Sequence, residues 1–162
     1  MKQIDWANPK ASITSHFTVG EALLLPRWKQ YHRPTYTERA NIQILAGTME
    51  AVRELVGKPI VVHCWIRPVR ANLAHPANTD RTHDGEDYNA LVRGWQNSMH
   101  IFGRAVDFHV KGYPGEAGCR EIRKRILPHL DALGLRMEDV DGGWVHLDNK
   151  PIAAGGNRFF KP

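Results

Sequence analysis

A chain of 162 residues with 42% hydrophobic and 9% aromatic content has the size and make-up of one globular domain, which excludes a disordered tail or a fibrous repeat. Lys and Arg number 22 against 17 Asp and Glu, giving a formal net charge of +5; this favours solubility and attraction to polyanions, but no basic run interleaved with aromatics selects a specific nucleic acid. No apolar run reaches the roughly 20 residues that span a bilayer, so membrane insertion is not expected.

The opening Met1-Lys2-Gln3-Ile4-Asp5-Trp6 carries no apolar signal region, so the expectation is a protein made in the cytoplasm without a signal peptide. Thr18-Val19-Gly20-Glu21 reads as a capping box that opens a short helix ending at Pro26, with Phe17 in the position of a hydrophobic staple. Thr37 is taken as a second N-cap, before a helix from about Glu38 to Val56: Ile42, Leu45, Met49, Val52 and Val56 recur at helical spacing and Gly57 ends it. Pro59 to Ile66 is β-branched and reads as a buried strand. Residues 70–96 are polar and rich in His and Asp, the pattern of a loop bordering a site, with His75 and His83 as solvated or substrate-touching histidines.

Arg104 to Val110 alternates as a strand, with Ala105, Asp107 and His109 on one face and Val106, Phe108 and Val110 on the other. Pro114 starts a helix carrying Ile122, Ile126 and Leu127, and Gly142-Gly143 leads into a last strand ending at Asp148. Helices come first and are then mixed with strands, without βαβ regularity. The fold class is α+β, a single domain over 1–162 with helices at about 18–57 and a core at about 60–148. The two cysteines, Cys64 and Cys119, lack zinc-finger spacing and are expected to be reduced, one long-range bridge being the alternative.

Nine histidines raise the question of metal or acid–base chemistry. The informative stretch is Ser98-Met99-His100-Ile101-Phe102-Gly103-Arg104-Ala105-Val106-Asp107. A Gly turn entering a strand can bring His100 and Asp107 onto one ion, Gly103 permits the turn, and small Ala105 leaves room beside it. His146 on the terminal strand would complete two imidazoles and one carboxylate with an open fourth position, the donor set of a catalytic zinc. Singly, each residue has a plainer role: His100 in a turn, Asp107 on the surface, His146 in the core.

These residues resemble the zinc D-alanyl-D-alanine carboxypeptidases and dipeptidases and the phage endolysin peptidases that share their fold. The likeness runs over roughly Ile60 to Asp148 and rests on Trp65-Ile66-Arg67-Pro68, Tyr88 to Val92, the Ser98–Asp107 motif and Trp144-Val145-His146-Leu147-Asp148. His16 to Ala22 is similar to the lead-in helix of the phage-associated branch.

The resemblance implies a small antiparallel sheet with flanking helices and a zinc site on the sheet face, as in Hedgehog-like and D-Ala-D-Ala peptidase-like domains. It implies His100, Asp107 and His146 as Zn2+ ligands. Arg67 would bind the substrate carboxylate or the oxyanion, unless it is a surface ion-pair residue, and Ser98 would bind near His100 or cap the turn. Many relatives place an acid three residues before the last ligand, where this chain has Gly143. Asp141 is the first choice of general base because Gly142-Gly143 can swing it over the metal. Glu138, Asp139 and Asp148 are the alternatives, and Asp148 can instead orient a ligand. His109 would support the site or be a satisfied, half-buried histidine; Trp144 is expected over the site and Trp65 in the core.

The expected activity is zinc-dependent hydrolysis of the peptide stems of bacterial peptidoglycan, by a monomer acting at the cell wall after release or from a virion. The alternative is a zinc-containing wall-binding or phage assembly module without catalysis.

Overall fold

The computed structural model describes residues 3–26, 29–67, 98–153 and 155–161. The expectations for Pro68, for the loop at 70–96 with His75 and His83, and for the Tyr88 to Val92 segment lie outside the described residues.

Helix α1 spans Val19–Leu23, and its capping box forms as expected: Thr18 N donates to Glu21 Oε2 at 2.8 Å and Glu21 N to Thr18 Oγ1 at 3.3 Å. Phe17 is buried and meets Trp65 edge to face at 5.6 Å, so the residue before the cap ties α1 to the core. A two-residue antiparallel ribbon, β1 (Leu24–Leu25) with β2 (Gln30–Tyr31), follows; such short pairing leaves no periodicity to read.

Helix α2 spans Tyr36–Val56 and starts earlier than Thr37 would allow. Its N-cap is Thr35, because Glu38 stands three residues on and bonds back to the Thr35 N–H at 2.6 Å while Thr35 Oγ1 accepts from Glu38 N. The reciprocal box satisfies two orphan donors, which Thr37 could not. Ile42, Leu45, Met49, Val52 and Val56 are buried as the spacing predicts, and Gly57 closes the helix at φ 67°.

Strand β3 (Ile60–Cys64) is not the fully buried strand expected. It is an outer strand of a five-stranded sheet in the order β3-β4-β6-β5-β7, and Val61 is 40% exposed. Strand β4 spans Ala105–Val110, β5 Arg136–Glu138, β6 Val145–Asp148 and β7 Phe159–Phe160. The sheet is mixed: β3, β4, β6 and β5 pair antiparallel, and β7 joins β5 in parallel. The architecture is therefore α+β, with a mixed sheet in place of an antiparallel one.

Helix α3 (Gly115–Ile126) begins after Pro114 as expected, and Pro128 sits in a 3-10 turn (Leu127–His129) leading into α4 (Leu130–Leu133). Helix α3 packs on β4 and β6 and against α2, while α1 packs on β3. Val106, Phe108 and Val110 of β4, with Val145 and Leu147 of β6, join Ile122 and Ile126 in the core. Each Leu, Ile, Phe or Met wholly removed from water contributes about 1.5–3 kcal/mol. The apolar face of the sheet is thus spent on the core, and the alternate residues of the same strands face the other way. Among the described residues no helix is long and apolar enough to cross a membrane.

Candidate metal centre

Antiparallel pairing fixes which polar side chains share the second face. Asp107 on β4 lies opposite His146 on β6, and Ala105 opposite Asp148. Arg136 on β5 lies opposite Asp148, and extending that register by one residue sets Glu138 beside His146. Directly opposed residues point to the same side of a sheet, so Asp107, His146, Asp148, Arg136 and Glu138 form one polar field.

His100 enters this field from the 3-10 turn Met99–Phe102. The turn must reverse into β4, and Gly103 does this at φ 68°. A Cβ there would also stand 2.8 Å from Ile42 Cγ1 of α2, so Gly103 is required by conformation and by space. Ser98 occupies the N-cap position of the turn, but its side chain makes no capping bond.

His100 is buried, and its Nδ1 lies 2.8 Å from the Trp65 carbonyl. A carbonyl only accepts, so Nδ1 carries a hydrogen, and Nε2 faces the carboxylate of Asp107, 3.2 Å from Oδ2, to which the protonated ring donates. His146 approaches the other oxygen: its Nδ1 is 2.8 Å from Asp107 Oδ1, and its Nε2 is 3.5 Å from Asp148 Oδ2. Asp148, 1% exposed, is itself fixed by a two-pronged bond from Arg136 at 2.8 and 2.7 Å and by the Lys150 N–H. The two imidazole rings stand edge to face with centroids 5.0 Å apart.

This pattern, in which an imidazole is oriented by an acceptor on its far nitrogen, is how proteins prepare histidine to bind a metal. The electrostatics agree. Burial opposes charge on His100, yet the carboxylate of Asp107 and the thiol of Cys64 raise its pKa well above the ordinary value. Burial also opposes charge on His146, but hydrogen bonds to Asp107 and Asp148 raise its pKa too. Asp107, despite burial, is held far below the usual carboxylate range by those histidines. Protons supply the positive charge that the cluster of Asp107, His100 and His146 demands.

Sequence reading missed Cys64. Its Sγ lies 3.9 Å from His100 Nδ1 and accepts from Arg67 Nη2 at 3.8 Å. Cys64, His100 and Asp107 each offer a ligand atom within 4.8 Å of the others, so this group can hold a metal ion. Both cysteines are free thiols, with Cys119 in the core. The signal for Cys64 was its place in the strand leading to Arg67, which spacing alone could not turn toward Asp107.

Arg67 Nη2 lies 3.6 Å from Asp107 Oδ2, and the Arg67 N–H bonds to the His100 carbonyl at 3.0 Å, so the expected oxyanion residue adjoins the expected ligands. Asp141 does not join them: its side chain is 83% exposed and lies 3.7 Å from Arg120. Glu138 does: burial raises its pKa, and it feels the charges of His146, Asp107, His100 and Asp148. Asp139 is exposed, and its N–H is tied to the Phe160 carbonyl. Phe160 borders the field, edge-on to His146 at 6.3 Å and under the Arg136 guanidinium at 4.3 Å. Trp65 is in the core as expected. Trp144 is 39% exposed and folds its ring over Gly142, where any Cβ would meet it at 2.7 Å.

Compared with family models, curated proteins and solved structures, the chain finds no match in any of the three.

Proposed function

We propose that the protein is a zinc peptidase of the D-Ala-D-Ala carboxypeptidase and endolysin type, acting on the peptide stems of bacterial peptidoglycan. One observation carries this reading: two imidazoles with their far nitrogens already held converge on the two oxygens of Asp107. His100 through Nε2, His146 through Nδ1 and Asp107 would hold the ion. A zinc ion so held polarises a carbonyl and lowers the pKa of water toward neutrality.

The chain's own residues account for the rest. Glu138 takes the role of proton acceptor in place of Asp141, because it stands beside His146 on the neighbouring strand. Its burial moves its pKa toward the working range of a general base. Arg67 holds positive charge next to Asp107, where a substrate carboxylate or a developing oxyanion would be stabilised. Arg136 locks Asp148, and Asp148 keeps His146 from turning. The surplus positive charge favours approach to an anionic wall.

The second reading, a metal-holding wall-binding or assembly module without catalysis, is favoured by Gly143 standing where relatives carry an acid. Metal analysis of the purified protein, followed by mass spectrometry of peptidoglycan after digestion, tests both. Stoichiometric zinc with newly cleaved stem peptides is expected. Zinc without cleavage would support the module, and protein free of zinc after zinc loading would overturn both.

A further inference from the structure

Strand β3 changes register against β4 between Val62 and Cys64: Val61 pairs with His109, Val62 with Phe108, but Cys64 with Asp107. His63 is the extra residue of this bulge. In unbroken pairing His63 would face Asp107, and Cys64 would face Val106 on the apolar side of the sheet. The bulge moves the thiol from the core face to the polar one, as bulges beside sites re-aim side chains. There it meets three groups: His100 Nδ1 at 3.9 Å, Arg67 Nη2 at 3.8 Å and the Asp107 carboxylate within 4.8 Å.

We propose that Cys64 is an exchangeable protein ligand of the metal centre, whose thiolate closes the position left open by His100, Asp107 and His146 and so keeps the enzyme latent until it is displaced. The inference rests on the zinc peptidase reading. Ligand atoms around a tetrahedral zinc lie roughly 3.3–3.5 Å apart, given Zn–N near 2.0 Å and Zn–S near 2.3 Å. The 3.2 Å between His100 Nε2 and Asp107 Oδ2 already matches that spacing, and Cys64 Sγ lies within 4.8 Å of a ligand atom on each of them. Four protein ligands make a closed site; three and an open position make a catalytic one. Because His146 supplies a third ligand independently of Cys64, loss of the thiolate opens the site without emptying it. Cys64 also sits on an outer strand and is only partly buried, so its side chain has room to leave the site.

Cobalt loading tests this without depending on activity. The wild-type cobalt protein is expected to show the near-ultraviolet charge-transfer band of a thiolate ligand. Cys64→Ser should lose the band and keep its cobalt. A fully loaded wild type without the band would overturn the proposal and leave the peptidase reading intact, whereas failure to take up cobalt would overturn both. Loss of cobalt from Cys64→Ser would overturn the exchange, since His146 would then not suffice. In peptidoglycan digestion Cys64→Ala is expected to be faster than wild type, and an equal or slower rate with cobalt retained would overturn the latency. If no form cleaves, the peptidase reading fails while the band still decides whether Cys64 is a ligand.

Discussion

Two histidine pairs lie on the same face of the sheet, and they differ in what holds them. His100 and His146 have ring centroids 5.0 Å apart; His63 and His109 have theirs at 4.8 Å and approach at 2.5 Å between Nε2 and Nδ1. In the first pair each ring shows one nitrogen to Asp107 and the other to a separate acceptor, the Trp65 carbonyl or Asp148. In the second pair the rings meet each other, and His63 is exposed. The charges diverge accordingly. Carboxylates raise the pKa of His100 and His146 against burial, whereas burial and the neighbouring His109 lower that of His63, with Asp107 only partly opposing. Proximity of imidazoles does not make a metal site; a shared carboxylate and a far-side anchor do.

The contrast is broken most severely by removing a ring of the first pair or the carboxylate that its two rings share. His100→Ala and Asp107→Ala are expected to lose bound zinc and to lower peptidoglycan cleavage to background, as read by metal analysis and fragment mass spectrometry. Retained cleavage in either would sink the proposed centre. Glu138→Gln separates chemistry from metal holding. It should keep zinc while the rate falls by about 10²- to 10⁴-fold, the usual contribution of a general base. Asp141→Asn, by comparison, should leave the rate within a few-fold.

Replacing an anchor has a smaller effect than replacing a ligand. Asp148→Asn is expected to weaken zinc affinity by about 10- to 100-fold, measured by competition with a chelator. It also alters acid stability. Burial would raise the pKa of Asp148, but bonds from His146, Arg136 and the Lys150 N–H hold it down to about 2. Against an unfolded value near 3.9, the carboxylate contributes roughly 2 kcal/mol, fully present above about pH 4 and lost as pH falls through about 2. Acid unfolding of the metal-free protein should therefore be flatter between those pH values in Asp148→Asn. An unchanged acid limb would show that the Asp148 carboxylate contributes no such stability.

Much of this arrangement is legible from spacing. Alternation along β4 places Asp107 and His109 opposite Val106, Phe108 and Val110, and the Gly at 103 marks the turn that carries His100. What spacing does not carry is pairing between strands remote in sequence. Glu138 and Asp141 are three residues apart, and in one dimension the adjoining Gly142-Gly143 favours Asp141 as the base; only the register of the short β5, too brief for a periodic signal, carries Glu138 toward His146, while Asp141 lies by Arg120. The bulge at His63 is likewise invisible, since it arises from register against β4 and not from any local preference. The cap of α2 is different: Thr35-Tyr36-Thr37-Glu38 contains the reciprocal box in plain view, and reading Thr37 as the cap overlooked its partner at the third position.

The mildest change sharpens the comparison from the other side. His63→Ala and His109→Ala remove a short imidazole contact from a pair to which, among the described residues, no carboxylate is hydrogen-bonded. Each is expected to shift unfolding free energy by no more than about 0.5 kcal/mol, the usual range for surface positions, and to leave zinc content unchanged. Chemical denaturation and metal analysis check this directly. If either variant sheds zinc, as is expected of His100→Ala, the far-side anchor is not what distinguishes the pairs, and the polar face is a continuous metal-binding surface reaching to the outer strand.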